Sequence, residues 1–74
     1  MSVAQLNHRQ YDSLERAIAT GQRIAIRRRG TEYVVVPHRL RVIGGRERIE
    51  SVHPTTGDDI VFYVDDLDAI EVIG

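Results

Sequence analysis

The fold is decided at residues 14–27, where the chain reads LERAIATGQRIAIR. Up to Thr20 the apolar residues recur every three or four positions, which is the spacing of one helix face. Gly21 ends that pattern, and from Ile24 apolar and polar residues alternate, as in a strand with one buried face. This change of period predicts one helix followed by an all-β remainder.

Toward the N-terminus, the sequence supplies the signals of a capped helix. Asn7 is a preferred N-cap residue, and Gln10 stands three positions later, where a capping box requires it. Gly21 is suited to the left-handed residue that ends a helix. We therefore predict a helix over about residues 8–20 and a flexible arm over residues 1–6. One apolar stripe faces the core, formed by Tyr11, Leu14 and Ile18.

Toward the C-terminus, turn residues divide the chain into short strands. The strands are predicted at about residues 23–27, 32–36, 39–43, 46–52, 60–64 and 69–73. Arg29-Gly30-Thr31 and Gly44-Gly45 are predicted turns, and Pro37 either ends a strand or produces a bulge because it lacks a backbone donor.

Two details of the inward faces follow from the spacing. Leu40 and Val42 are expected to point into the core. Ile49 and Val52 lie three residues apart, which suggests a bulge in the fourth strand. Five or six short strands in hairpin order behind one helix suit a small barrel over residues 22–74. The expected fold class is therefore α+β, mainly β, in a single domain.

Several short segments, in their order along the chain, resemble the WYL domain, an Sm-like (SH3-type) antiparallel barrel found mostly in bacterial transcription regulators. The segments are Leu14-x-x-Ala17-Ile18, Val36-Pro37-x-x-Leu40, Gly45-Arg46 and Phe62-x-Val64-Asp65-x-Leu67. The Trp-Tyr-Leu triplet that names the family aligns with Glu47-Arg48-Ile49. The resemblance implies that fold and a surface for single-stranded nucleic acid or nucleotides. The arginines that the family often carries beside the closing Phe are replaced by Tyr63 and Asp66, so no binding residue is transferred from it.

Composition narrows the functional classes. The 74 residues include no cysteine, which excludes disulfides and thiolate chemistry and fits a reducing cytoplasm. The first residues lack the pattern of a signal peptide, and no apolar run approaches the length of a membrane span. All ten basic residues are arginine, which indicates either a GC-rich bacterial or phage genome or selection for forked phosphate-binding donors.

Charge is unevenly distributed along the chain. Residues 23–48 carry a net charge of +6, and residues 50–74 carry −7. The arginines of the basic half form the candidate site for nucleic acid or nucleotide, with Tyr63 or Tyr33 as a stacking face. The alternative is a solvated face on which these arginines pair with the acidic half across the sheet. The candidate residues are Arg27, Arg28, Arg29, Arg39, Arg41, Arg46, Arg48 and Tyr63.

Arg28 has a special position among them. Alternation places it on the inward face of Ile24 and Ile26. We therefore expect its guanidinium either at the mouth of the barrel or buried beside a carboxylate.

The histidines and the adjacent aspartates do not form a recognisable metal-binding or catalytic motif. His8, His38 and His53, considered with Asp58 or Asp59, are too dispersed for a zinc signature. Adjacent aspartates at 58–59 and 65–66 are interpreted as caps and solvated charges, because no nucleophile accompanies them. We therefore expect no catalytic residue, no metal and no cofactor.

The leading hypothesis is a non-enzymatic, cytoplasmic regulatory module that binds single-stranded nucleic acid or a nucleotide. The alternative is a protein-interaction or self-assembly module, including an acidic-surface inhibitor or adaptor, that binds no nucleic acid. Either a protein partner or a homo-oligomer is compatible with the second hypothesis.

Overall fold

A computed structural model of the chain describes residues 6–73. One helix, α1 (His8–Thr20), precedes five strands and a short 3-10 helix. The predicted class, one N-terminal helix followed by an antiparallel sheet, is confirmed. The later elements are β1 (Ile24–Arg28), β2 (Thr31–Ile43), β3 (Arg46–Val52), β4 (Asp59–Tyr63), η1 (Val64–Asp66) and β5 (Ala69–Val72).

Both ends of α1 lie where the capping residues predict them. The Asn7 side chain accepts the backbone N–H of Gln10 at 2.8 Å, and the Gln10 side chain accepts the backbone N–H of Asn7 at 2.9 Å. Gly21 has a φ of 72° and donates its N–H to the Ala17 carbonyl. Of the predicted arm, residues 1–5 lie outside the described residues, whereas Leu6 is buried in the core.

The sheet has the strand order β4-β3-β2-β1-β5, and every pairing is antiparallel. β2 is its central strand. Residues 31–35 of β2 pair with β1, and residues 36–43 pair with β3. Because one long strand serves successive neighbours on its two sides, the sheet curls into a barrel-like shape around the core, and α1 packs on β2 and β5.

Pro37 does not divide β2, so the prediction of two separate strands over 32–36 and 39–43 is wrong. Pro37 is buried opposite Ser51, and the register with β3 shifts between Pro37 and Arg39. The extra residue is His38. Of the two outcomes expected at Pro37, the structure shows the bulge, which lets the strand continue past a residue without a backbone donor.

The bulge predicted in β3 is absent, because the inward position between Ile49 and the strand end belongs to a polar residue. Ser51 is 3% exposed, and its hydroxyl donates to the Ile60 carbonyl at 2.8 Å. β3 pairs with β4 without a register shift, and Val52 lies on the opposite face. Apolar spacing alone misplaced this strand because it ignored a serine whose hydroxyl is satisfied inside the sheet.

The core lies between α1 and the inner face of the sheet. Leu40 packs against it as predicted. The same prediction is wrong for Val42, whose side chain is 64% exposed, because it lies near the end of the β2–β3 hairpin, which extends beyond the core. The buried apolar residues are Leu6, Leu14, Ala17, Ile24, Ile26, Val35, Ile49, Phe62, Val64 and Leu67.

Candidate nucleic-acid interface

Five of the eight predicted site residues share the outer face of three neighbouring strands. In the register, Arg41 lies opposite Arg48, which lies opposite Tyr63. These positions alternate with the inward residues of β2, β3 and β4, so their side chains stand on the solvent side. We call this surface the arginine face; it consists of Arg39, Arg41, Arg46, Arg48 and Tyr63.

Glu50 lies within the arginine face and bridges two of its cations. One carboxylate oxygen, Oε2, accepts from Arg48 Nη2 and lies 3.4 Å from Arg41 Nη1. Like charges on directly opposed strand positions repel, and the shared carboxylate offsets this for Arg41 and Arg48. The hydrogen bond from Arg48 lowers the pKa of Glu50, and the same bond raises the pKa of Arg48.

Arg46 is held from two sides. Its guanidinium lies over the ring of Tyr63, 4.0 Å from the centroid. Its Nε and Nη2 donate to the two carboxylate oxygens of Asp65 at 2.9 and 2.7 Å, and Asp66 lies 3.6 Å from Nη2. The bidentate hydrogen bonds with Arg46 lower the pKa of Asp65 and raise that of Arg46.

Arg39 differs from the other arginines of this face. Its Cα partner across the ladder is Glu50, yet within residues 6–73 no carboxylate oxygen lies within 4.0 Å of its guanidinium nitrogens. The arginine face thus combines both outcomes considered from the sequence. Its arginines share one surface, and three of the four already contact carboxylates of the acidic half.

The three arginines of residues 27–29 lie apart from the arginine face, on the hairpin between β1 and β2. β1 pairs with β2 and β5 and has no register with β3. Arg27 points to the outer side of this hairpin, where its Nη2 lies 3.9 Å from Glu32 on the opposing strand. The sequence therefore grouped two sets of arginines that the topology separates.

Arg28 takes the inward position that alternation predicts. Its guanidinium carbon lies 5.1 Å from the ring centroid of Tyr33 and 5.2 Å from that of Phe62. Nη2 also donates to the Tyr33 hydroxyl at 3.3 Å. Arg28 is half-buried against two aromatic rings, which fits the mouth position, and no carboxylate of residues 6–73 forms an ion pair with it. Tyr33 packs with Arg28 and Phe62 in this inward cluster, so it does not belong to the arginine face.

Arg29 forms the turn of the same hairpin in an unfavourable conformation. Its φ is 52° and that of Gly30 is 79°, so both central residues are left-handed, as in a type I′ turn. The backbone N–H of Gly30 donates to Asp68 at 3.3 Å, which ties the turn to the segment before β5. The Arg29 side chain projects into solvent from the tip.

The histidines do not converge. Among residues 6–73 there is no group of three or more His, Cys, Asp or Glu side chains with the spacing of a metal site. His53 precedes a turn, and its Nδ1 accepts the backbone N–H groups of Thr55 and Thr56 at 3.1 and 3.3 Å. No helix in this part of the chain is long and apolar enough to cross a membrane.

Comparison with known proteins supports the fold. No protein-family model matches the chain, and no curated protein matches it. Among solved structures it is similar to Proteasome accessory factor B/C (PafBC) of Arthrobacter aurescens, with a TM-score of 0.74 and 20% identity. The match covers 99% of this chain and 13% of that one. At this identity the likeness establishes the fold alone, and it supports a WYL-like fold.

Sequence reasoning missed the acidic members of the site, Glu50, Asp65 and Asp66. Glu50 is within reach of prediction, because the Gly44-Gly45 turn fixes the β2–β3 register and alternation puts Glu50 on the face of Arg48. The positions of Asp65 and Asp66 could not be predicted from the sequence, since their contact with Arg46 depends on how η1 folds back against β3.

Proposed function

We propose that this chain is a non-catalytic regulatory binding module that contacts the phosphate backbone of single-stranded nucleic acid through the arginine face. The observation that carries the proposal is the convergence of four arginines and one tyrosine on the outer side of three neighbouring strands. Guanidinium forks bind phosphate oxygens in pairs, and the ring of Tyr63 supports the guanidinium of Arg46 on this surface. The WYL-like fold is consistent with this role, and the cytoplasmic location stays a prediction.

The carboxylates on the arginine face affect how strongly, and with what salt dependence, a nucleic acid would bind. Glu50, Asp65 and Asp66 offset much of the charge of the four arginines, so the proposal implies weak, salt-sensitive binding at a few phosphates. Arg39, which has no carboxylate contact within the described residues, is the arginine most open to a ligand.

The test is a titration of fluorescently labelled oligo(dT) and oligo(rU) at several salt concentrations, read by anisotropy. We expect binding that weakens with salt, and an Arg39→Ala/Arg41→Ala variant that binds about tenfold more weakly. The matched control is Arg9→Ala/Arg16→Ala, which removes the same charge from exposed positions of α1.

Four results are possible. Loss in the face variant with little change in the α1 control supports the arginine face. Equal losses in both contradict a local site, and loss confined to Arg27→Ala/Arg29→Ala would assign binding to the β1–β2 hairpin instead. No binding at the lowest salt overturns the proposal.

A second candidate function, protein interaction or self-assembly, is favoured by exposed apolar side chains near the β2–β3 hairpin and β4. Val42, Ile43 and Val61 are 64%, 39% and 40% exposed. β4 and β5 are edge strands with one paired side each, and open edges accept further strands. Light scattering over a concentration series tests this candidate: growth in mass supports it, and a strict monomer at the highest concentration contradicts self-assembly.

A further inference from the structure

Asp65 and Asp66 occupy Arg46 in the way that a phosphate group would. The two oxygens of Asp65 accept from Nε and Nη2, which is the side of the guanidinium fork that bidentate phosphate contacts also use. Asp66 adds a second carboxylate at 3.6 Å. The ring of Tyr63 lies against one face of the same guanidinium, so the carboxylates and the ring contact Arg46 at different places.

We propose that Asp65 and Asp66 are intramolecular competitors for phosphate at Arg46, so that a nucleic-acid strand makes a bidentate contact with the Nε/Nη2 fork only by displacing them. The inference rests on the proposed function and adds its regulation. The carboxylates lie two and three residues after Tyr63, in η1, so the chain holds them at high effective concentration beside Arg46. Arg46 itself stays seated on Tyr63, so displacement requires a movement of the aspartates alone.

This competition predicts that the arginines of the arginine face contact phosphates in a fixed order. Arg39 is available to the first phosphate, while Arg46 contributes only once its carboxylates have left. Native affinity and the salt dependence of binding are therefore lower than four arginines would give. A charge-neutral side chain at 65 and 66 holds the fork more weakly, because an asparagine oxygen still accepts a hydrogen bond but carries no negative charge. The remaining hydrogen bond favours retention of the local structure.

The test is a double-mutant cycle with labelled oligo(dT), using the full chain. We expect Asp65→Asn/Asp66→Asn to bind about threefold to tenfold more tightly than the native chain. Its plot of log affinity against log salt should be steeper by about 0.7, the value for one more phosphate contact on a single strand. The matched control, Asp12→Asn/Glu71→Gln, removes two carboxylates from exposed positions of α1 and β5.

Arg46→Gln completes the cycle. Under competition it lowers affinity far more in the Asp65→Asn/Asp66→Asn background than in the native chain, whereas simple long-range electrostatics makes the effects additive. Additive effects, or an equal gain in the Asp12→Asn/Glu71→Gln control, overturn the inference while leaving the proposed function intact. Circular dichroism and urea unfolding confirm that each variant is folded.

A second probe keeps the inference testable if the native chain binds no oligonucleotide and the proposed function fails. Inorganic pyrophosphate is titrated while the Arg46 Nε–H resonance is followed by NMR. A shift of that resonance at lower pyrophosphate concentration in Asp65→Asn/Asp66→Asn than in the native chain supports competition. Identical titrations overturn it.

Discussion

At the scale of single residues, Arg29 carries a conformational cost that the sequence does not reveal. Its φ of 52° is left-handed, a region in which a side chain with a Cβ is strained and in which asparagine and glycine are preferred. The hairpin between β1 and β2 nevertheless closes through this residue and Gly30. The turn was predicted from Gly30, but the strain follows from the two-residue loop length, which only the register of Arg28 with Thr31 establishes.

A chain with asparagine at position 29 should therefore be more stable than one with alanine there. We expect Arg29→Asn to raise the free energy of unfolding by about 0.4–1 kcal/mol relative to Arg29→Ala, since both remove the guanidinium and only asparagine tolerates the left-handed backbone. Urea denaturation followed by circular dichroism measures the difference. Equal stabilities of the two variants would contradict the account of this turn.

Other single residues were within reach of prediction because their signals are local. Asn7, Gln10 and Gly21 define the helix through contacts of three or four residues, and the structure confirms all three. The face of Arg28 followed from alternation with Ile24 and Ile26. Its aromatic partners did not, since Phe62 lies on β4, far away in sequence.

At the scale of elements, the errors concentrate on β2 and β3. Pro37 and Ser51 face each other across the ladder, and each departs from the residue type that marks an inward strand position. In a sequence, a proline indicates the end of a strand, but here the neighbouring bulge at His38 allows β2 to continue. A serine signals an exposed position, but the Ile60 carbonyl satisfies its hydroxyl. The bulge and the hydrogen bond both depend on the neighbouring paired strand, and the spacing of residues along one strand carries no information about its neighbour.

The ion pairs of β2, β3 and η1 give the fold a dependence on pH. Arg48 and Arg46 lower the pKa of Glu50 and of Asp65, respectively. Because the folded chain binds these protons more weakly than the unfolded chain, the stabilisation is present at neutral pH. It is lost as the pH falls below about 4, through the lowered pKa values.

We therefore expect the free energy of unfolding to decline between pH 7 and pH 3, and to decline less in Glu50→Gln/Asp65→Asn, in which these two carboxyls are absent. Urea denaturation at a series of pH values measures both curves. Asp12→Asn/Glu71→Gln serves as the matched control, since it removes two carboxylates from exposed positions of α1 and β5. A decline in the Glu50→Gln/Asp65→Asn variant as steep as in the native chain would show that these ion pairs do not couple stability to pH.

At the scale of the whole molecule, folding interleaves the basic and acidic halves of the chain. β3 lies between β2 and β4 and itself carries Arg48 and Glu50, while η1 brings Asp65 to Arg46. The charge split along the sequence therefore does not become a bipolar surface. Composition left both arrangements open, because strand order, and not charge, decides which side chains meet.

The sequence predicted the helix, the strand content and five residues of the shared face, since these depend on spacing and on one tight hairpin. It did not separate the arginines of residues 27–29 from the others. That separation follows from the pairing of β1 with β5, which closes contacts between distant parts of the chain. Long-range pairing of this kind has no signature in a local pattern.

The proposed binding surface for a single nucleic-acid strand is the outer side of β2, β3 and β4. A ¹H–¹⁵N NMR titration of the labelled chain with oligo(dT) at low salt locates the bound strand residue by residue. We expect chemical-shift changes concentrated at Arg39, Arg41, Arg46, Arg48 and Tyr63, with α1 and β5 unchanged. Changes confined to α1 and β5, or none at all at saturating oligonucleotide, would contradict the proposed binding surface.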